Sequence, residues 1–203
     1  MKTTKKALRL ALCAVLLVVS TVFATLAYLT STTQVVKNTF TVGNVTITLD
    51  EADVDEYGKE IDGASRVLEN TYKLIPGHKY VKDPTIHVAK GSEECYLFVK
   101  VVNGISGIEA DTTIAAQMTA NGWKALDAVN NVYYLDRKID ASAAAEDVPV
   151  FAEFTVKGDA AVSSYNGNTI TVQAYAIQAD GFASAAAAWA AAPSDWVAPT
   201  VTP

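Results

Sequence analysis

Cysteine is almost missing from this chain, and the two present, Cys13 and Cys95, do not make a disulfide framework. Cys13 lies in an apolar N-terminal run behind Leu12 rather than a small residue, which excludes a lipid-modified cysteine. Cys95 falls in an alternating apolar segment and reads as a buried, inert thiol. Histidine is equally scarce, with only His78 and His87. A zincin needs two histidines one helical turn apart with a glutamate between them, because that spacing puts all three groups on one helix face. Here a proline-broken β segment separates the pair. The two could converge with Glu93 or Glu94 as ligands, or His87 could pair with Cys95, yet nothing in the sequence supplies an orienting third group. Both histidines therefore read as surface residues near a turn. A glycine-rich phosphate loop and a nucleophile elbow are also absent. The sequence gives no ground for catalytic, cofactor-binding or metal-binding residues, and no cofactor is expected.

Positive charge is thin as well. Four of the 16 Lys and Arg, namely Lys2, Lys5, Lys6 and Arg9, lie in the first 27 residues, so 12 remain beyond them against all 22 Asp and Glu. A chain this acidic, with no basic cluster, is not expected to bind nucleic acid, since phosphate neutralisation needs such a patch. The C-terminal stretch 193–203 has no long apolar run and no wall-sorting motif, and reads as a flexible Pro/Thr tail.

What is present begins with a three-part leader. The basic front precedes the almost wholly apolar Leu10 to Phe23, and Ala24-Thr25-Leu26-Ala27 supplies small residues at a cut site. Cleavage is expected between Ala27 and Tyr28, with Ala24 and Thr25 as second choice. Membrane contact is then expected only through the uncleaved leader. The roughly 175 residues that remain suffice for one domain burying about 70% of its unfolded surface, with no covalent staple.

That domain, residues 28–192, reads as short β segments punctuated by turns, the pattern of a sandwich or barrel. Phe40 and Val42 share one parity and Val45, Ile47 and Leu49 the other, with the switch at Gly43-Asn44. Leu74-Ile75-Pro76-Gly77 is a turn. Tyr80 to Val88 is a strand interrupted at Asp83-Pro84, which suits an edge. Cys95 to Val101 is apolar on both faces and predicts a central or doubly covered strand. Val148 to Val156 and Ile170 to Ala176 repeat the alternation. Asn166-Gly167 predicts a type I′ hairpin, and Asn130-Asn131 a weaker hairpin between Trp123-Asp127 and Val132-Leu135. Helices are predicted over Asp111 to Ala120, with Thr112-Thr113 as candidate caps and Asn121-Gly122 as the stop, and over Phe182 to Ala192, stopped by Pro193, with Phe182 and Trp189 on one face. Glu51 to Asn70 reads as a surface loop or short hairpin. Its acidic run Asp50 to Glu56 lacks the spacing of an EF-hand and reads as solvated rather than calcium-binding.

Four segments in order carry a resemblance: Ala27-Tyr28-Leu29-Thr30, Asn38 to Val45, Leu74-Ile75-Pro76-Gly77 leading to Lys82-Asp83-Pro84, and Ala174 to Phe182. Together they resemble the camelysin and TasA-like exported proteins, whose leaders are cut by a SipW-type signal peptidase. The resemblance implies an all-β, jelly-roll-like antiparallel β-sandwich with one or two short helices. For the TasA-like members it further implies a secreted extracellular-matrix or biofilm fibre, self-associating as the segment behind the cleavage site completes a neighbour's sheet. Here that donor would run from Tyr28 to Val42, with Val36, Phe40 and Val42 as the side chains that enter the neighbour. His78 follows the Pro-Gly turn where relatives more often carry a small acid or polar residue. Two alternatives are a secreted metalloendopeptidase of the camelysin kind and a monomeric surface-binding module presenting Tyr133 and Tyr134 to solvent. An ordinary edge strand folding back on its own domain is the plainer role for the donor segment.

Overall fold

A computed structural model describes residues 44–193, except 111, 128 and 129, together with Trp196. Within these residues the chain is all-β and sandwich-like, with two short helices and no closed barrel. The strands are β1 (Ile47–Asp50), β2 (Lys79–Val81), β3 (Thr85–Val88), β4 (Cys95–Asn103), β5 (Trp123–Asp127), β6 (Val132–Leu135), β7 (Glu146–Pro149), β8 (Glu153–Thr155) and β9 (Ile170–Gln178). The helices are α1 (Ile114–Ala120) and α2 (Ala185–Ala190). Among the described residues the strand pairs run antiparallel, in sheets ordered β5-β6-β4-β9, β1-β3-β7 and β2-β8.

Apolar alternation on both faces puts β4 at the centre of its sheet, paired over its full length with β9 and partly with β6. Cys95, Leu97, Val99 and Val101 join the main core, while Tyr96 and Phe98 join a second cluster on the opposite face. That second cluster lies under α2, which is why β4 is buried on both faces from Cys95 to Val101. Trp189 lies 4.9 Å from Phe98 and 5.6 Å from Tyr175, ring centre to ring centre.

Tyr80 to Val88 and Val148 to Val156 are each divided between two ladders. β2 pairs with β8 and β3 with β7 in one continuous register, with residues 82–84 opposite 150–152 at the break. Burial still alternates through the break, since Tyr80, Lys82, Pro84, Ile86 and Val88 are all buried. Pro84 does not mark an edge: β3 is the central strand of its sheet, bonded to β1 and β7. The proline sits between the ladders, where its missing N–H is not needed, and its carbonyl accepts from Val150 N at 2.9 Å.

The first helix starts behind Thr113, one of its two candidate caps, whereas α2 starts later than the sequence pattern predicts because it waits for a cap at Ser184. Thr113 Oγ1 accepts from Ala116 N at 3.2 Å, and Ser184 Oγ accepts from Ala187 N at 3.1 Å. Phe182 therefore packs on the second cluster from the turn before α2 rather than from the helix. Asn166-Gly167 does not form a type I′ hairpin. A 3₁₀ turn, Val162–Tyr165, precedes it, Asn166 is extended at φ −62° and ψ 127°, and Gly167 takes φ +81°. With Asn168 N donating to Tyr165 O at 3.0 Å, this is a type II turn. The β5–β6 hairpin does form, with Asn131 at φ +56° and a register shift between Ala125 and Asp127. Trp196, within the stretch read as tail, is buried, its ring 4.7 Å from that of Tyr175.

Candidate functional site

A cleft of about 1100 Å³ opens between β1, the segment 68–74, the 3₁₀ turn at Val162–Tyr165 and the first half of β9. Its apolar walls include Leu49, Leu74, Ile105, Phe154, Ile170 and Val172, and Leu68 stands 86% exposed at its margin. The wall formed by β9 is fixed to β4. Gly104 N donates to Thr169 O at 2.9 Å and Asn168 Nδ2 to Gly104 O at 2.8 Å. A Cβ on Gly104 would sit 2.7 Å from that same Thr169 oxygen, so only glycine allows this approach.

Four further lining residues form a polar cluster. Lys82 Nζ donates to Glu51 Oε2 at 2.5 Å, and Asn70 Nδ2 donates to Glu51 Oε1 and to Ala52 O, both at 2.8 Å. Asn70 Oδ1 accepts from Val54 N at 3.1 Å. The Tyr72 hydroxyl donates to Val81 O at 3.0 Å, and Lys82 Nζ lies 5.9 Å from the centre of its ring. Burial, followed by the nearby charges of Glu51 and Asp83, pushes the Tyr72 phenol well above its ordinary value, so it stays a neutral donor. These groups bond one another, and what the cleft offers a partner is mainly apolar wall beside a strand edge. Among the described residues, β9 has a single neighbouring strand, β4.

A second polar cluster lies on the outer row of the β1-β3-β7 sheet. His87 on β3 contacts Asp147 Oδ1 through Nδ1 at 2.7 Å and Asp50 Oδ1 through Nε2 at 2.9 Å. Arg66 Nε donates to the same Asp50 oxygen, and Arg66 Nη1 reaches Asp83 Oδ2 at 2.8 Å. Asp83 Oδ1 in turn accepts from Ala52 N at 2.7 Å. Hydrogen bonds to Asp50 and then to Asp147 raise the His87 pKa above its ordinary value against the opposing effect of burial. Burial pushes Asp50 up, but the hydrogen bonds from Arg66 and His87 outweigh it and leave the carboxyl below its ordinary range.

The acidic run is therefore not simply a solvated loop. Asp50 and Glu51 are taken by protein cations, Asp55 accepts from Tyr57 N at 2.9 Å and Lys59 N at 3.0 Å, and Val54 is buried. The histidines do not converge with Glu93 or Glu94. His78 Nε2 donates to Tyr57 O at 2.9 Å with its ring against Tyr80, and Glu94 pairs with Lys138 at 2.9 Å. Among the described residues no three His, Cys, Asp or Glu side chains gather as a metal site. Cys95 is fully buried, and burial, then the charges of Glu146 and Glu94, push its thiol up to about 12. Tyr133 and Tyr134 are half-buried, one packed on each core, rather than presented to solvent.

The cleavage residues Ala24, Thr25, Ala27 and Tyr28 and the donor candidates Val36, Phe40 and Val42 lie outside the described residues. Sequence reasoning missed Arg66, Lys82 and Asp147. Arg66 left one signal, as the only arginine between Arg9 and Arg137.

No family model, curated protein or solved structure matches the chain. The cleft is read from its own geometry.

Proposed function

We propose that this chain is an exported, non-enzymatic structural protein that builds an extracellular-matrix or surface fibre by strand donation, as its resemblance to the TasA-like proteins implies. In this reading a SipW-type signal peptidase frees the N-terminus at Tyr28, and the segment Tyr28 to Val42 enters the cleft of the next subunit. The observation that carries it is the juxtaposition of a nine-residue strand, β9, having one neighbour among the described residues, with an apolar cleft along its first half.

The physical reasons are general. An open strand edge presents unpaired N–H and C=O groups that an extended segment can satisfy, while alternate side chains fill pockets beside it. Val36, Phe40 and Val42 share one parity and would point the same way. A partner strand matching β9 needs about 30 Å of extended chain, and the 15 residues from Tyr28 to Val42 span about 50 Å, which leaves a tether to their own domain. Such contacts are head-to-tail and need not close, so they give filaments.

The test compares the mature chain starting at Tyr28 with a variant lacking Tyr28 to Asn38, both imaged by electron microscopy. Fibres are expected from the first and none from the second. Undiminished fibres from the shortened chain would overturn the proposal.

A further inference from the structure

Imidazole chemistry limits what His87 can be. A neutral ring carries one N–H and one lone pair, yet each His87 nitrogen faces a carboxylate oxygen, Asp147 at 2.7 Å and Asp50 at 2.9 Å. Carboxylates only accept, so both contacts are hydrogen bonds only when both nitrogens carry protons. The three residues come from three strands of one sheet, with His87 on the strand that lies between β1 and β7.

We propose that His87 is a proton-operated latch that ties β1 to β7 across the central strand and slackens when the imidazolium loses its proton. The charged groups around it are Asp50 on β1, Asp147 on β7, Arg66 from the 51–70 loop acting through Asp50, and Asp83 acting through Arg66. Glu146, the neighbouring residue on β7, belongs to the alternate row and pairs with Arg137 at 2.5 Å. After deprotonation one nitrogen turns a lone pair toward a carboxylate, and that contact opens. Asp147 yields first, because its side chain is 68% exposed and water can replace the histidine, whereas Asp50 is only 27% exposed and is also held by Arg66. β1 carries Leu49 and Asp50 into the cleft wall, so the latch bears on that wall whatever occupies the cleft.

The sign follows from linkage. A folded-state pKa raised above the unfolded one contributes stability that is complete below the unfolded value and lost as pH rises through the folded value. In the full mature chain, NMR titration of His87 is expected to give a midpoint above the ordinary value of about 6.5. Hydrogen-exchange protection factors of β1 and β7 amides should fall across that same midpoint, about tenfold for each unit of elevation. His87→Gln keeps a polar side chain but cannot titrate, so its protection should be flat over this range. Asp147→Asn, a change at an exposed position, should lower the His87 midpoint and shrink the fall. The latch is overturned if the midpoint is at or below about 6.5. It is equally overturned if wild-type protection stays flat through the titration, or if His87→Gln loses protection over the same range.

Discussion

A lysine ammonium belongs in water, yet Lys82 is 9% exposed and its partner Glu51 5%. Two charges this deep are tolerable only because their remaining hydrogen-bonding capacity is used: Asn70 covers the second Glu51 oxygen and the Tyr72 ring lies near the ammonium. The pair also joins residues 31 apart, tying the start of the 51–70 loop to the end of β2. Removing one partner strands the other, and this sets the expected cost. Lys82→Met should lower unfolding free energy by about 3–5 kcal/mol, read as a shift in urea midpoint with unchanged slope. Adding Glu51→Leu should recover much of that loss, because the orphaned charge goes with it. A loss below about 1 kcal/mol would place Lys82 with half-exposed pairs such as Arg137–Glu146, which contribute little.

At the scale of elements, the 51–70 loop holds its form through bridges between Glu51 and Val67 and between Val54 and Glu60, and its glycines report which turn is constrained. Gly58 and Gly63 have nearly the same backbone, φ +74° and +75°. A Cβ on Gly58 would lie 2.7 Å from Tyr80 Cα, while one on Gly63 would meet nothing. Gly63→Ala should therefore cost only the left-handed strain, about 1 kcal/mol, and Gly58→Ala distinctly more, measured side by side by thermal melting. Equal costs would mean that β2 can move away from the turn. Strands of this fold were legible where the pattern is local: β4, β9 and the β5–β6 hairpin follow from period-two alternation and turn residues. The division of Tyr80 to Val88 between two sheets was not, because alternation runs unbroken through the interruption and only partner strands 58 to 76 residues away decide it. The same distance hid the polar clusters. His87 meets Asp147 across 60 residues, and nothing near either in sequence marks the other. The cleft was legible only in pieces, the Asn166-Gly167 turn and the alternation of Ile170 and Val172, never as one hollow.

For the whole molecule, the proposed fibre and the folded domain place different demands on the same surface, and Leu68 separates them. Tyr57, Ile61, Leu68 and Val102 are the large apolar side chains left exposed among the described residues, and Leu68 is far the most so at 86%, against 36–47% for the others. Scattered exposed apolar residues are ordinary, but this one stands at the margin of the cleft that the strand-donation reading fills. An exposed leucine contributes little to folding, so Leu68→Asp should change unfolding free energy by no more than about 0.5 kcal/mol. If a neighbour's Tyr28 to Val42 segment enters beside it, the aspartate puts a charge where an apolar chain must seat, and the critical concentration for fibre formation should rise several-fold. Sedimentation of the mature chain over a concentration series reads this directly, with the urea midpoint as control for the fold. A variant that is as stable as the parent and polymerises at the same concentration would exclude this margin of the cleft as the acceptor face, even if deleting the N-terminal segment abolished the fibres.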